Sequence, residues 1–183
     1  MKTACAERGG RTAAAIFLFF LFSFFGWVLE KLWFYFAYGA NADRGFLTLP
    51  FCTVYGSALL LIRALLGEPF LREQSYPRNL LRFLCYAALA ALIASAAELA
   101  TGLLFEHAFG VRLWSYRDCP HNLFGYVCLP ASVGWGFLIP VALQAVWFPL
   151  ERRLALANGV WLRAANGVLA CALVFDFFFT AFA

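Results

Sequence analysis

Glu30, Glu98 and Asp176 each sit inside a long apolar run, and it is around these acids that chemistry could be organised. A carboxylate surrounded by hydrocarbon costs several kcal/mol unless it is partnered or hydrated. Two chemistries suit such a group: exchanging a proton, or coordinating a polar solute as it crosses. The plainer alternative is a structural hydrogen bond or ion pair where helices cross. Residues three and four apart share a helix face, which sets Glu98 with Ala90, Ala91, Ala94 and Ser95. By the same spacing Glu30 lies with Ser23, Gly26 and Trp27, and Asp176 with Ala172 and Thr180. Small residues let helices approach closely, so all three acids are expected to point into a bundle. Arg44 is the expected counter-charge, because it precedes a glycine turn and could fold onto Glu30 or Glu98. Lys31, adjacent to Glu30, is expected to diverge from it and snorkel outward.

A second concentration of polar residues runs from Glu106 to Phe124, where Trp114, Tyr116 and Asn122 are candidate solute contacts. An ordered polar lid is the alternative use of the same stretch. His107, Cys119 and His121 have no recognised zinc spacing, so no metal is expected. A Cys119–Cys128 disulfide is left open should this side be oxidising. There is no G-x-x-x-x-G-K-[ST], H-E-x-x-H, G-x-S-x-G or dinucleotide fingerprint, so no catalytic residue is assigned and no cofactor is expected.

The elements that must position these groups follow from composition. Of 183 residues, 64% are hydrophobic and only 13% charged, against about 25% in an ordinary soluble domain. So few charges cannot cover an apolar core in water, which leaves a lipid bilayer as the solvent. At 20.4 kDa the expectation is a single integral membrane domain over residues 1–183. Five apolar runs long enough to cross hydrocarbon are bounded by charge or turn residues: Thr12 to Tyr38, Phe46 to Leu66, Leu81 to Phe105, Tyr126 to Leu150 and Ala164 to Ala183. The first is too long and too aromatic for a cleaved signal peptide.

Lys2, Arg8, Arg11, Arg63, Arg72, Arg78, Arg82, Arg152, Arg153 and Arg163 fall on one side of this arrangement. Lys31, Arg44, Arg112 and Arg117 fall on the other. Positive loops stay inside, so the expected location is a bacterial-type cytoplasmic membrane with the N-terminus in and the C-terminus out. Counting at 1.5 Å per residue from the inner arginines puts Glu30, Glu98 and Asp176 roughly 28, 24 and 20 Å across, all in the outer half. The basic residues form no continuous patch among exposed aromatics, so nucleic-acid binding is not expected. They set topology and could touch anionic headgroups of the lipid bilayer.

Two segments align without a gap. Gly45 to Gly56 and Gly125 to Gly136 share the frame G-aromatic-x-x-L-P-x-[CS]-x-x-[YW]-G, each after a helix carrying an acid. The repeat units run over about 12–66 and 81–150; with two spans apiece they are parallel, and the helix over about 164–183 is an addition. Gly45, Pro50, Tyr55 and Gly56, with Gly125, Pro130, Trp135 and Gly136, are the expected repeat hinge. Irregular backbone of this kind survives in lipid only against protein or water, so the pair is expected to frame an outward-facing cavity. Two merely shaped helix starts are the alternative. The fold class is thus an all-α polytopic helical membrane bundle of about five transmembrane helices.

The segments Phe25-Gly26-Trp27-Val28-Leu29-Glu30, Arg44-Gly45-Phe46-Leu47, Pro50-Phe51-Cys52, Tyr55-Gly56, Glu98-Leu99-Ala100-Thr101-Gly102, Trp114-Ser115-Tyr116, Asn122 to Leu129 and Trp135-Gly136 carry a resemblance. Over roughly residues 20–140, with an echo at Asp176, the chain resembles the Putative ABC-transporter type IV membrane proteins, the CmpB-like permeases. Leu49 and Thr53 stand where that family usually has a glycine and a proline, and Ser115 where it commonly has an aspartate. The resemblance implies a permease component moving a small solute, either alone or with a separately encoded ATPase. Five helices rarely enclose a pathway unless two copies assemble, so a homodimer is expected. A membrane-embedded enzyme for a lipid or isoprenoid substrate, using Glu30 and Glu98 as acid and base, and a non-catalytic scaffold are the competing readings.

Overall fold

A computed structural model describes residues 2–39, 46–70, 75–157 and 159–182. Its helices are α1 (Lys2–Tyr38), α2 (Thr53–Leu66), α3 (Tyr76–Phe109), α4 (Leu129–Ala155) and α5 (Gly159–Phe182). Two short strands, β1 (Asn122–Leu123) and β2 (Val127–Cys128), pair antiparallel just before α4. The protein is an all-α membrane chain: α1, α3, α4 and α5 are each long and apolar enough to cross a bilayer.

The second expected span is built differently from the others. Its apolar run begins at Phe46, but helix starts only at Thr53, and the 14 residues of α2 reach about 21 Å. Proline explains the delay: Pro50 has no N–H to donate, and it biases Leu49 away from helical backbone. In the second copy of the frame, Pro130 instead occupies the first turn of α4, where a missing donor costs nothing. Further along, α4 widens to a π-helical turn over Leu143–Trp147, beyond Pro140. From that turn the Gln144 Oε1 accepts the Phe70 N–H at 3.2 Å. The stretch Gly67 to Phe70 is tied down further by Arg82, which donates to the Glu68 and Pro69 carbonyl oxygens, and by the Tyr86 hydroxyl on the Gly67 carbonyl oxygen. Side chains thereby satisfy the carbonyls of the turn that follows α2.

The chain divides into two compact units, Met1–Leu60 with Pro149–Ala183, and Leu61–Phe148. In the first, α1 packs along α5: Ala13, Ala14 and Leu162 are buried together, with Phe17, Leu154 and Ala155 against them. A polar clasp joins the two helices, the Asn166 Nδ2 donating to the Ala13 carbonyl oxygen at 2.8 Å. In the second unit α3 packs along α4. The buried face of α3 reads Tyr86, Ala87, Ala90, Ala94, Glu98 and Gly102, one residue every three or four from Ala87 onward, so a carboxylate sits within a stripe of small residues.

Candidate functional site

In each unit the intramembrane glutamate meets the aromatic that closes the repeat frame. The Tyr55 hydroxyl donates to Glu30 Oε1 at 2.7 Å, and the Trp135 indole N–H donates to Glu98 Oε1 at 3.0 Å. Tyr55 and Trp135 occupy the same place in the duplicated frame. The packing beneath them repeats too. A Cβ on Gly56 would strike the Phe19 carbonyl oxygen and the Ser23 hydroxyl, and one on Gly136 would lie 2.8 Å from the Ala87 carbonyl oxygen and 3.1 Å from Ala91 Cβ. Phe19 and Ser23 precede Glu30 by eleven and seven residues, and Ala87 and Ala91 precede Glu98 by the same steps. Each copy therefore uses a glycine to bring two helix backbones together, and that approach delivers a ring donor to the acid. Gly26 completes the first pair: a Cβ there would be 2.5 Å from the Tyr55 ring.

Close by, the two copies use different polar atoms. The Ser95 and Ser132 hydroxyls share a hydrogen bond of 2.7 Å in the second unit. In the first, Cys52 stands at the position of Ser132, and its N–H donates to the Ser23 carbonyl oxygen at 2.9 Å. Glu98 is buried and Glu30 half-buried. Lys31 turns back over the Trp27 ring, 5.4 Å from its centroid.

Asp176 does a different task. Its Oδ2 accepts the Leu49 N–H at 3.0 Å and its Oδ1 accepts the Thr48 hydroxyl, so a helix outside the repeat holds the non-helical stretch ahead of α2. The equivalent amide in the second copy, Leu129 N–H, donates to the His121 carbonyl oxygen at 3.3 Å. The carboxylate of α5 therefore serves the first copy as a loop carbonyl serves the second. Irregular backbone at membrane depth requires such acceptors. Asp176→Asn would place amide hydrogens against one of these two donors. We expect it to lower the unfolding free energy by about 1–3 kcal/mol, read as an earlier thermal transition of the purified protein. Arg44 and Gly45 lie outside the described residues.

The polar stretch before α4 is folded on itself. Gly110, at φ 68, ends α3 by returning its N–H to the Glu106 carbonyl oxygen. Glu106 Oε2 accepts from both Arg112 Nε and the Tyr126 hydroxyl at 2.8 Å, and the Arg112 guanidinium lies 4.3 Å from the Tyr126 ring centroid. The Trp114 indole N–H donates to the Tyr126 carbonyl oxygen, and the Tyr116 N–H to the Gly125 carbonyl oxygen, both at 2.8 Å. Asn122 uses its Nδ2 on the Arg117 and Cys119 carbonyl oxygens and its Oδ1 on the Gly125 N–H. Phe124 and Gly125, at φ 53 and 75, turn the chain between β1 and β2. Trp114 and Asn122, candidate solute contacts by sequence, thus use these polar atoms to hold the loop. Among the described residues no group of three or more His, Cys, Asp or Glu is placed to hold a metal ion.

The model of the family described as Putative ABC-transporter type IV matches residues 17–181. The chain belongs to that family. The match runs through both glutamate–aromatic pairs and reaches Asp176, so every acid of the candidate site lies within the ABC-transporter type IV region. No curated protein and no solved structure matches the chain.

In this ABC-transporter type IV protein several partners of the site are absent from the sequence-level candidates. Thr48 gives no signal beyond its place two residues before Pro50. Ser95 is visible as one turn before Glu98 on the same face, and Ser132 as the [CS] position of the frame, but nothing in the sequence pairs the two. Glu106 lies two helical turns beyond Glu98, a spacing that could have marked it as the acid of the loop.

Proposed function

We propose that this membrane protein is a permease component that moves a small solute, with intramembrane acids lining an outward-facing polar cavity. The observation that supports this most is the duplicated carboxylate–aromatic pair, Tyr55 to Glu30 and Trp135 to Glu98. A structural acid at a helix crossing needs no counterpart, whereas each copy of the frame sets an aromatic donor, Tyr55 or Trp135, on a glutamate of the preceding helix. Each ring donor reaches one oxygen of its carboxylate and helps to orient a group that can accept hydrogen bonds when ionised and donate one when protonated. Asp176 positions the stretch that leads into Tyr55 through Thr48 and Leu49. Trp114 and Asn122 shape the loop ahead of α4, with Tyr116 contributing its backbone.

The chain carries no phosphate-binding loop of its own, so in this reading a separately encoded ATPase supplies energy, and two copies of the chain assemble in a cytoplasmic membrane with N-termini inside. Cells expressing the chain are given a panel of labelled amino acids, sugars and organic acids, beside cells carrying an empty vector. The expected result is accumulation or loss of at least one solute class above the vector background. Identical fluxes for every class, with the protein present in the membrane and the ATPase partner co-expressed, would overturn the reading.

A further inference from the structure

Cys119 and Cys128 are brought together by the loop's own hydrogen bonds. The Cys119 N–H donates to the Tyr116 carbonyl oxygen at 2.9 Å, closing a turn. Its carbonyl oxygen accepts from Asn122 Nδ2, also at 2.9 Å, and Asn122 stands directly opposite Cys128 in the β1–β2 ladder. The next residue pair across that junction is joined as well, by Leu129 N–H to the His121 carbonyl oxygen. Within this frame both cysteines are free thiols, Cys119 half-buried and Cys128 buried, close enough to interact. In the five-crossing reading of the lysines and arginines this loop lies on the extracytoplasmic side, where disulfides form and persist.

We infer that Cys119 and Cys128 are a redox modification site, closing reversibly to a disulfide that staples the loop to the end of β2, directly ahead of α4. The co-reactant is a disulfide donor, either an exposed protein disulfide or a small-molecule one. Cys119, the more accessible thiol, loses its proton and attacks one donor sulfur; the donor S–S bond breaks and its other sulfur leaves as a thiolate. Cys128, deprotonated in turn, attacks Cys119 Sγ and expels the donor's remaining sulfur. One S–S bond forms and one breaks, two S–H bonds are lost, and two electrons and two protons pass to the donor, which ends as two thiols. Burial raises the Cys119 thiol above its ordinary value, reinforced by its hydrogen bond to Cys128 and by the nearby Cys128 and Asp118 charges. Closure therefore accelerates as pH rises.

The inference does not depend on transport and is tested on the full native chain in membranes. Membranes are incubated with oxidised glutathione at neutral and alkaline pH, free thiols are capped with a maleimide, and the protein is digested for mass spectrometry. The expected result is a peptide pair joining Cys119 to Cys128, forming several-fold faster at the higher pH, lost on treatment with a dithiol reductant and absent from Cys119→Ser. A loop protease site between residues 110 and 128 is expected to be cut several-fold more slowly in the oxidised form. Full maleimide capping of both cysteines after oxidation would overturn the inference, as would linkage of Cys119 to any other cysteine.

Discussion

Gly56→Ala is expected to remove most of the folded protein, and Gly136→Ala to do the same from the other unit. In both cases the new methyl meets backbone: the Phe19 carbonyl oxygen lies where a Gly56 Cβ would go, and the Ala87 carbonyl oxygen is 2.8 Å from a Cβ on Gly136. Backbone cannot rotate away as a side-chain tip can, so α2 must separate from α1, or α4 from α3. Overpacking costs about 1–3 kcal/mol, with backbone collisions at the upper end, a large share of a total stability of about 5–15 kcal/mol. The separation also withdraws Tyr55 or Trp135 from its glutamate, adding the cost of a buried carboxylate without its donor. Gly134→Ala is the control, since nothing lies within 4 Å of its Cβ, although it sits only two residues away in α4. Purified in detergent, Gly134→Ala should elute and melt like the native chain, while Gly56→Ala and Gly136→Ala should aggregate or melt many degrees lower. Native melting of all three would mean that the helices do not approach as described.

Glu98→Gln should cut solute flux about tenfold or more while the protein still folds. The reason is a separation of roles within one side chain. A glutamine Oε1 can still accept the Trp135 N–H, so the helix–helix junction keeps its hydrogen bond, but the group can neither ionise nor carry a proton. Glu30→Gln should behave likewise, because its amide oxygen can accept from the Tyr55 hydroxyl. A charge-assisted hydrogen bond to a solute or proton is worth about 1.5–3 kcal/mol, so a loss of about tenfold or more in flux is expected from either variant. Trp135→Phe makes the complementary defect: the acid remains but its donor is gone, so stability falls along with flux. Wild-type flux in Glu98→Gln and Glu30→Gln would assign both acids to architecture alone. Loss of membrane expression in Glu98→Gln would point the same way.

Much of this arrangement was legible before any coordinates. The frame shared by Gly45–Gly56 and Gly125–Gly136 identified corresponding residues, and the small-residue face of Ala90, Ala94 and Glu98 named the side on which α3 packs. What spacing could not supply was the pairing across helices. Tyr55 and Trp135 read as hinge residues because periodicity describes one helix at a time, whereas their role comes from the partner helix that Gly56 and Gly136 let in. Pro50 announced an irregular start, but only the fold shows that the freed Leu49 N–H is answered by Asp176, more than a hundred residues away in sequence. In the loop, the residue types of Trp114 and Asn122 suit solute recognition and loop construction equally. Their indole and amide groups are directed at the loop's own backbone.

The sharpest test of the central claim is a pair of double-mutant cycles on unfolding of the purified protein, one combining Glu98→Ala with Trp135→Phe and the other Glu30→Ala with Tyr55→Phe. The account predicts non-additivity of about 1.5–3 kcal/mol in both cycles, because each single change breaks the same charge-assisted hydrogen bond. Additive effects in either cycle would contradict it, leaving the duplicated frame without a common carboxylate pair.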